Sequence, residues 1–130
     1  MIPRRWKQAM TRADLIALAA RVERCDGSDR HAAFQLGVEA LCAMGRNPLD
    51  PNPALSIDAA FSLIDNLGGP FIAAMGDIAA NGLPGVCLCT STDPVREVWG
   101  IGYGHDYIGK FARAATAAAL RARAEEGNDG

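Results

Sequence analysis

The segment Val98-Trp-Gly-Ile-Gly-Tyr-Gly104 alternates strictly between glycine and large apolar residues, and no feature of the chain constrains its fold more. Successive side chains of a β-strand point to opposite faces, so this period-two pattern predicts a strand with one face stripped of side chains. A bare face of that kind brings the backbone of a neighbour close. The neighbour is supplied by the alanine-rich stretch from about Asp106 to Glu125, whose Ile108, Phe111, Ala115, Ala118 and Ala122 fall on one side of a helix. Close packing of Ala115, Ala118 and Ala122 on Gly100 and Gly102 is therefore the expected use of the glycines.

Upstream of residue 70 the period is helical. Thr11-Arg-Ala-Asp14 has the form of a capping box and precedes Leu15, Ile16, Leu18, Ala19 and Val22 at helical spacing. Gly27 suits a left-handed C-terminal cap, and Ser28 can start a second helix with Phe34, Val38, Leu41 and Cys42 on its inner stripe before Gly45. Arg46-Asn-Pro-Leu-Asp-Pro-Asn-Pro53 holds three prolines, which remove backbone donors, and reads as a loop. Ser56 then caps a third helix, with Asp58 in its first turn and Ile57, Phe61, Ile64 and Leu67 inward. From Phe71 the residues favour strands: 71–80 and 86–90 form a hairpin around Asn81-Gly82 and Pro84-Gly85, with a bulge at Gly76. After a turn at Asp93-Pro94, 98–104 adds a third antiparallel strand.

The expected fold class is α+β, with three N-terminal helices, a three-stranded antiparallel sheet and a C-terminal alanine-rich helix packed on it as an α/β sandwich. A length of 130 residues suits one domain. Residues 10–126 form that domain, 1–9 a basic N-terminal extension and 127–130 a polar tail. A net charge of -2 argues against a nucleic-acid partner and a membrane surface. Residues 1–24 carry six Arg and Lys against two acids, and the short basic terminus with Arg4, Arg5 and Lys7 around Trp6 reads as a solvated tail. With no membrane span and no secretion signal, a cytoplasmic location is expected, and with it reduced thiols at Cys25, Cys42, Cys87 and Cys89.

Candidate chemistry is sparse. The segment Gly100-Ile-Gly102-Tyr-Gly104-His-Asp106 runs from a strand into a helix start, where backbone amides can bind phosphate. His105 stands where a dinucleotide fingerprint needs its third glycine, and the Lys-Ser/Thr pair of a P-loop is missing. A metal site would have to join Cys87 and Cys89 to Cys25, Cys42, His31 or His105, which lack the close pairing of zinc ligands, so no metal and no cofactor are expected. No local motif activates a thiol beside His31 or His105. Asp26, Asp29, Asp58, Asp65, Asp77, Asp93 and Asp106 mostly fall at caps or turns, and none is assigned a catalytic role. The aromatic side of the third strand, with Trp99 and Tyr103 bordered by Arg96 and His105, is the candidate binding surface, although Trp99 or Phe71 is expected to anchor the core.

Four stretches carry a resemblance: Met10-Thr-Arg-Ala-Asp-Leu-Ile-Ala-Leu-Ala-Ala-Arg-Val-Glu23, Gly27-Ser-Asp-Arg30, Ser56-Ile-Asp-Ala-Ala-Phe-Ser-Leu-Ile64 and Ala118-Ala-Leu-Arg-Ala-Arg-Ala124. Across residues 10 to 124 the chain resembles small phage and prophage proteins of the phage ABA sandwich domain group. In that group a proline stands where this chain has Ser28, and the last helix opens with Thr-Pro-Ala rather than Gly104-His-Asp-Tyr. Met10 falls where such proteins begin, which makes 1–9 an upstream extension. The resemblance implies phage origin, the cytoplasm of a bacterial host and a sandwich fold, and it transfers no catalytic residue. The expected function is that of a non-enzymatic phage accessory protein that binds a host or phage macromolecule, such as a component of host defence. A protein is the expected partner, and a homo-oligomer is a further option. The alternative is a nucleotide-type small ligand at the Gly100, Gly102, Gly104 and Asp106 corner, and an enzyme of unknown class stands third.

Overall fold

The structure, a computed structural model, describes residues 10–25, 27–67, 71–78, 83–90, 97–102 and 106–127, with the backbone alone described at 71–78, 83–84, 89–90, 107–108 and 127. The chain is α+β. Helices α1 (Arg12–Arg24), α2 (Arg30–Ala43) and α3 (Ile57–Ser62) lead, through a 3-10 turn at Leu63–Asn66, to strands β1 (Phe71–Ile78), β2 (Leu83–Thr90) and β3 (Glu97–Ile101), and helix α4 (Tyr107–Gly127) closes the order. Among the described residues no helix is long and apolar enough to cross a membrane.

Helix α1 starts as its sequence dictates. Thr11 Oγ1 accepts from the Asp14 amide at 3.1 Å, and the Thr11 amide donates to Asp14 Oδ2 at 3.2 Å, a complete capping box. Gly27 has φ +80°, the left-handed value expected of it. The second helix is capped one residue later than Ser28: Asp29 Oδ1 accepts from the amides of His31 and Ala32 at 3.0 and 3.1 Å.

The inner face of α2 differs from the expected one. Ala33, Gly37, Ala40 and Leu41 are buried, Val38 and Cys42 are half-buried, and Phe34 is exposed. The reason lies in the proline loop, which lies against Gly37: a Cβ there would fall 1.8 Å from Asn52 Oδ1. Asn52 Nδ2 donates to Phe34 O at 2.9 Å, and Pro53 is fully buried. Small residues turn inward because the loop needs the space.

The third helix is shorter than expected. It is α-helical only to Ser62 and continues as the 3-10 turn, with Ala59, Ala60, Leu63 and Leu67 buried and Ile57, Phe61 and Ile64 partly so. Arg46 fastens the transition, donating to Ser62 O at 3.2 Å and to Asn66 Oδ1 at 2.9 Å while paired with Asp50.

The strands form one antiparallel sheet in the order β1-β2-β3. The β1–β2 register runs without interruption from Phe71↔Thr90 to Ile78↔Leu83, so Gly76 pairs with Gly85 and the expected bulge is absent from it. Pro84 and Gly85, expected in the turn, belong to β2. The β2–β3 ladder runs from Cys89↔Glu97 to Gly85↔Ile101, and the next pair would set Gly102 against Pro84. Proline has no amide proton to give at that position, which accounts for the end of the ladder.

Helix α4 is the centre of the molecule rather than a one-sided lid. Every residue from Phe111 to Leu120 is buried. Helix α1 packs on one side of α4, β2 and β3 on another and α3 on a third. Alanine lets three neighbours approach the helix at once, and the polar residues of this buried stretch are bonded, Arg113 to Asp106 and Thr116 to Pro53 O. Gly100 completes the fit: a Cβ on it would lie 1.8 Å from Ala114 O and 2.9 Å from the Ala118 amide nitrogen. The close approach expected at the glycine face is present, but Lys110, Ala114 and Ala118 provide it, not Ala115 and Ala122.

Candidate functional site

The glycine corner is filled by the protein itself. A Cβ on Gly102 would meet Lys110 O at 2.2 Å, so at both Gly100 and Gly102 the side stripped of side chains is occupied by the backbone of α4. Asp106, the last member of the corner, is also engaged. Its carboxylate receives Arg113 Nη2 at 2.7 Å and Nη1 at 3.0 Å, a two-pronged ion pair whose guanidinium is wholly buried. Gly27 and Gly109 close around it, for a Cβ on either would approach the Asp106 carboxylate to 2.5 or 1.9 Å. Gly104 lies outside the described residues. At Gly100 and Gly102, the bare face of the strand is taken up by α4 and leaves no room there for a phosphate.

The other face of β3 points away from α4. Val98 and Gly100 are buried while Glu97 and Trp99 are exposed, Trp99 to 47%. Trp99 is therefore not the core anchor that the sequence suggests; its indole Nε1 donates to Glu97 Oε1, two residues back on the same face. Among the proposed binding residues, Trp99 stands in the open, whereas Arg96, Tyr103 and His105 lie outside the described residues, as do the side chain of Phe71 and the turns at Asn81 and Asp93.

Trp99 belongs to a groove of about 480 Å³ between α1 and β3. Arg12 and Ile16 of α1, Glu97 and Ile101 of β3, and Ala124 and Glu125 of α4 line it. Its deep end is built by a pair that sequence reasoning missed, Glu23 and Arg121. Arg121 Nη1 and Nη2 reach the two carboxylate oxygens of Glu23 at 2.6 Å each, and Glu23 is buried. The same two side chains bond the backbone of β3: Glu23 Oε2 accepts from the Ile101 amide at 2.7 Å, and Arg121 Nη1 donates to Trp99 O at 2.8 Å. The signal in the sequence was weak, one acid inside the last turn of an otherwise apolar helical stripe, its partner 98 residues away.

A second groove, of about 490 Å³, lies between α1 and α2. Arg21 and Glu39 pair across it at 3.0 Å, and Cys25 and Asp29 line it. His31 is hydrogen-bonded through Nε2 to Gln35 at 3.1 Å. Cys25, Cys42 and Cys87 are free thiols. Burial and then the Glu39 carboxylate push the Cys42 thiol up, away from the thiolate a nucleophile needs. Among the described residues no three His, Cys, Asp or Glu side chains converge on a metal-sized space.

Comparison of the chain with family models, with curated proteins and with solved structures finds no match.

Proposed function

We propose that the chain is a non-enzymatic phage or prophage accessory protein that binds a macromolecule of the host or the phage, and that it does so through the Trp99 groove. The observation that carries this reading is the position of Trp99. Tryptophan is the side chain that most often anchors a protein interface, and here it stands half-exposed on an edge strand next to Ile16 and Ile101 instead of filling the core. The phage origin and the host cytoplasm rest on the sequence resemblance at residues 10–23, 27–30, 56–64 and 118–124. On the same ground we read the sheet, α4 and the helical layer as the sandwich of that group.

Catalysis has less support. The carboxylates of Asp106 and Glu23 are held by Arg113 and Arg121, and the Cys42 thiol is pushed the wrong way for a nucleophile. The nucleotide alternative has less support at Gly100 and Gly102, whose bare face is filled by α4.

The test is capture from bacterial lysate on the immobilised chain, run beside Trp99→Ala and, as a surface control remote from the groove, Arg30→Ser. The expected result is a discrete protein held by the wild type and by Arg30→Ser but lost with Trp99→Ala. Equal capture by all three, or by none, would contradict the proposal.

A further inference from the structure

We infer that the β3 edge takes an extended segment of the partner protein as a fourth strand of the sheet, a reading that rests on the Trp99 groove being the binding site. The phase of β3 is fixed by its bonds. The Ile101 amide and the Trp99 carbonyl face Glu23 and Arg121, so the backbone groups of Glu97, Trp99 and Ile101 point to the open edge and those of Val98 and Gly100 point to β2. Glu23 and Arg121 close only the far half of this edge. Nearer the mouth of the groove, the Trp99 N–H and the Glu97 C=O meet no partner among the described residues, and Trp99 is half-exposed there.

An unpaired donor and acceptor two residues apart on one edge are what a single residue of an added parallel strand bridges, accepting from the first and donating to the second. Exposed edges of this kind are normally blunted, and here the blunting by an ion pair stops halfway along the strand. The opposite wall, Arg12 and Ile16 of α1, leaves a slot of about 480 Å³, room for a short extended segment. Alternate side chains of such a segment would face the Trp99 ring. The described lining holds three carboxylates, Glu23, Glu97 and Glu125, against two guanidiniums, Arg12 and Arg121, and the Glu23 and Arg121 charges neutralise each other. The segment that fits is therefore an extended one with an apolar residue for Trp99 and a Lys or Arg for the Glu97 side.

A library of random nonapeptides displayed on filamentous phage, panned on the full chain, provides the probe. The expected outcome is enrichment of alternating apolar sequences with a Lys or Arg. A synthetic copy of the enriched peptide should bind Glu97→Pro about tenfold more weakly or worse, because proline removes an edge amide and wedges a ring into the added strand. Glu97 opens β3 and its amide is not part of the ladder to β2, so circular dichroism should show Glu97→Pro folded. In the wild type, hydrogen exchange at the Trp99 amide should slow on adding the peptide. Failure to enrich any sequence, or enriched peptides that bind without protecting the Trp99 amide, would overturn the inference. A peptide lost with Trp99→Ala but indifferent to Glu97→Pro would leave the groove as the binding site and refute strand addition alone.

Discussion

Towards each end of α4 an arginine of the helix holds a carboxylate, Asp106 at one end and Glu23 of α1 at the other, and the two places use the same chemistry in opposite ways. At the N-terminal end, Gly27 and Gly109 lie against the Asp106 carboxylate that holds the buried Arg113, and the neighbouring Gly100 and Gly102 are pressed onto the helix backbone. At the C-terminal end, Glu23 and Arg121 also form a short, two-pronged pair, but they spend part of their hydrogen bonding on the edge of β3 and leave Trp99 beside an open groove. Where glycine lines the strand, the chain seals itself. Where tryptophan lines it, the chain stays open. Gly100 and Gly102 of the candidate ligand corner are thus part of the packing, and Trp99, one of the two residues expected to anchor the core, stands half-exposed.

The sealed end should tolerate least. Gly100→Val brings a branched side chain against the Ala114 carbonyl, which is helix backbone and cannot step aside, so the loss of stability in urea unfolding should reach about 3 kcal/mol or more. Asp106→Ala takes one carboxylate away from the wholly buried Arg113 guanidinium. Removing one partner of a buried pair costs roughly 3–5 kcal/mol, and because the Asp106 side chain is 42% exposed the expected loss is nearer about 2–3 kcal/mol. Glu23→Gln keeps an acceptor for the Ile101 amide and removes only the charge, so the open end should lose less, about 1–2 kcal/mol in the same assay. If Glu23→Gln proved the more damaging of the two, the contrast between a sealed and an open end would fail. Trp99→Ala should cost about 1–2 kcal/mol, since roughly half of the ring is buried, while removing partner capture. The smallest effect is chemical. Cys42 should react with iodoacetamide more slowly than free glutathione at neutral pH, as read by mass spectrometry, and Glu39→Gln should quicken it only in part because burial is the larger cause.

Much of this architecture is legible in the residues themselves, and the failures share a cause. The capping box at Thr11 and Asp14, the left-handed Gly27 and the bare glycine face are local signals with one physical solution each. The inner face of α2 was misread because Phe34 and Val38 are the more hydrophobic choice. The fold instead used Ala33, Gly37 and Ala40, whose small size admits the proline loop. Helix α4 was misread as one-sided because alanine marks no stripe: with alanines on every side, only the neighbours reveal that all of them are buried. The groove was half-visible. Strict alternation separates the two faces of β3, and once α4 claims the glycine face Trp99 must lie on the other. What the sequence could not display is the link between Glu23 and Arg121, a contact across 98 positions made by two charges that each look like ordinary surface residues.

The central claim is that Trp99 faces solvent in the free chain and is the residue a partner covers. Its most direct measurement is the fluorescence of Trp99 alone, in a Trp6→Phe background, with acrylamide as quencher. The account predicts a red-shifted emission that acrylamide quenches readily in the free protein and that shifts to the blue, shielded, when the enriched peptide is added. A blue-shifted, poorly quenched emission from the free protein would put Trp99 in the core and contradict it.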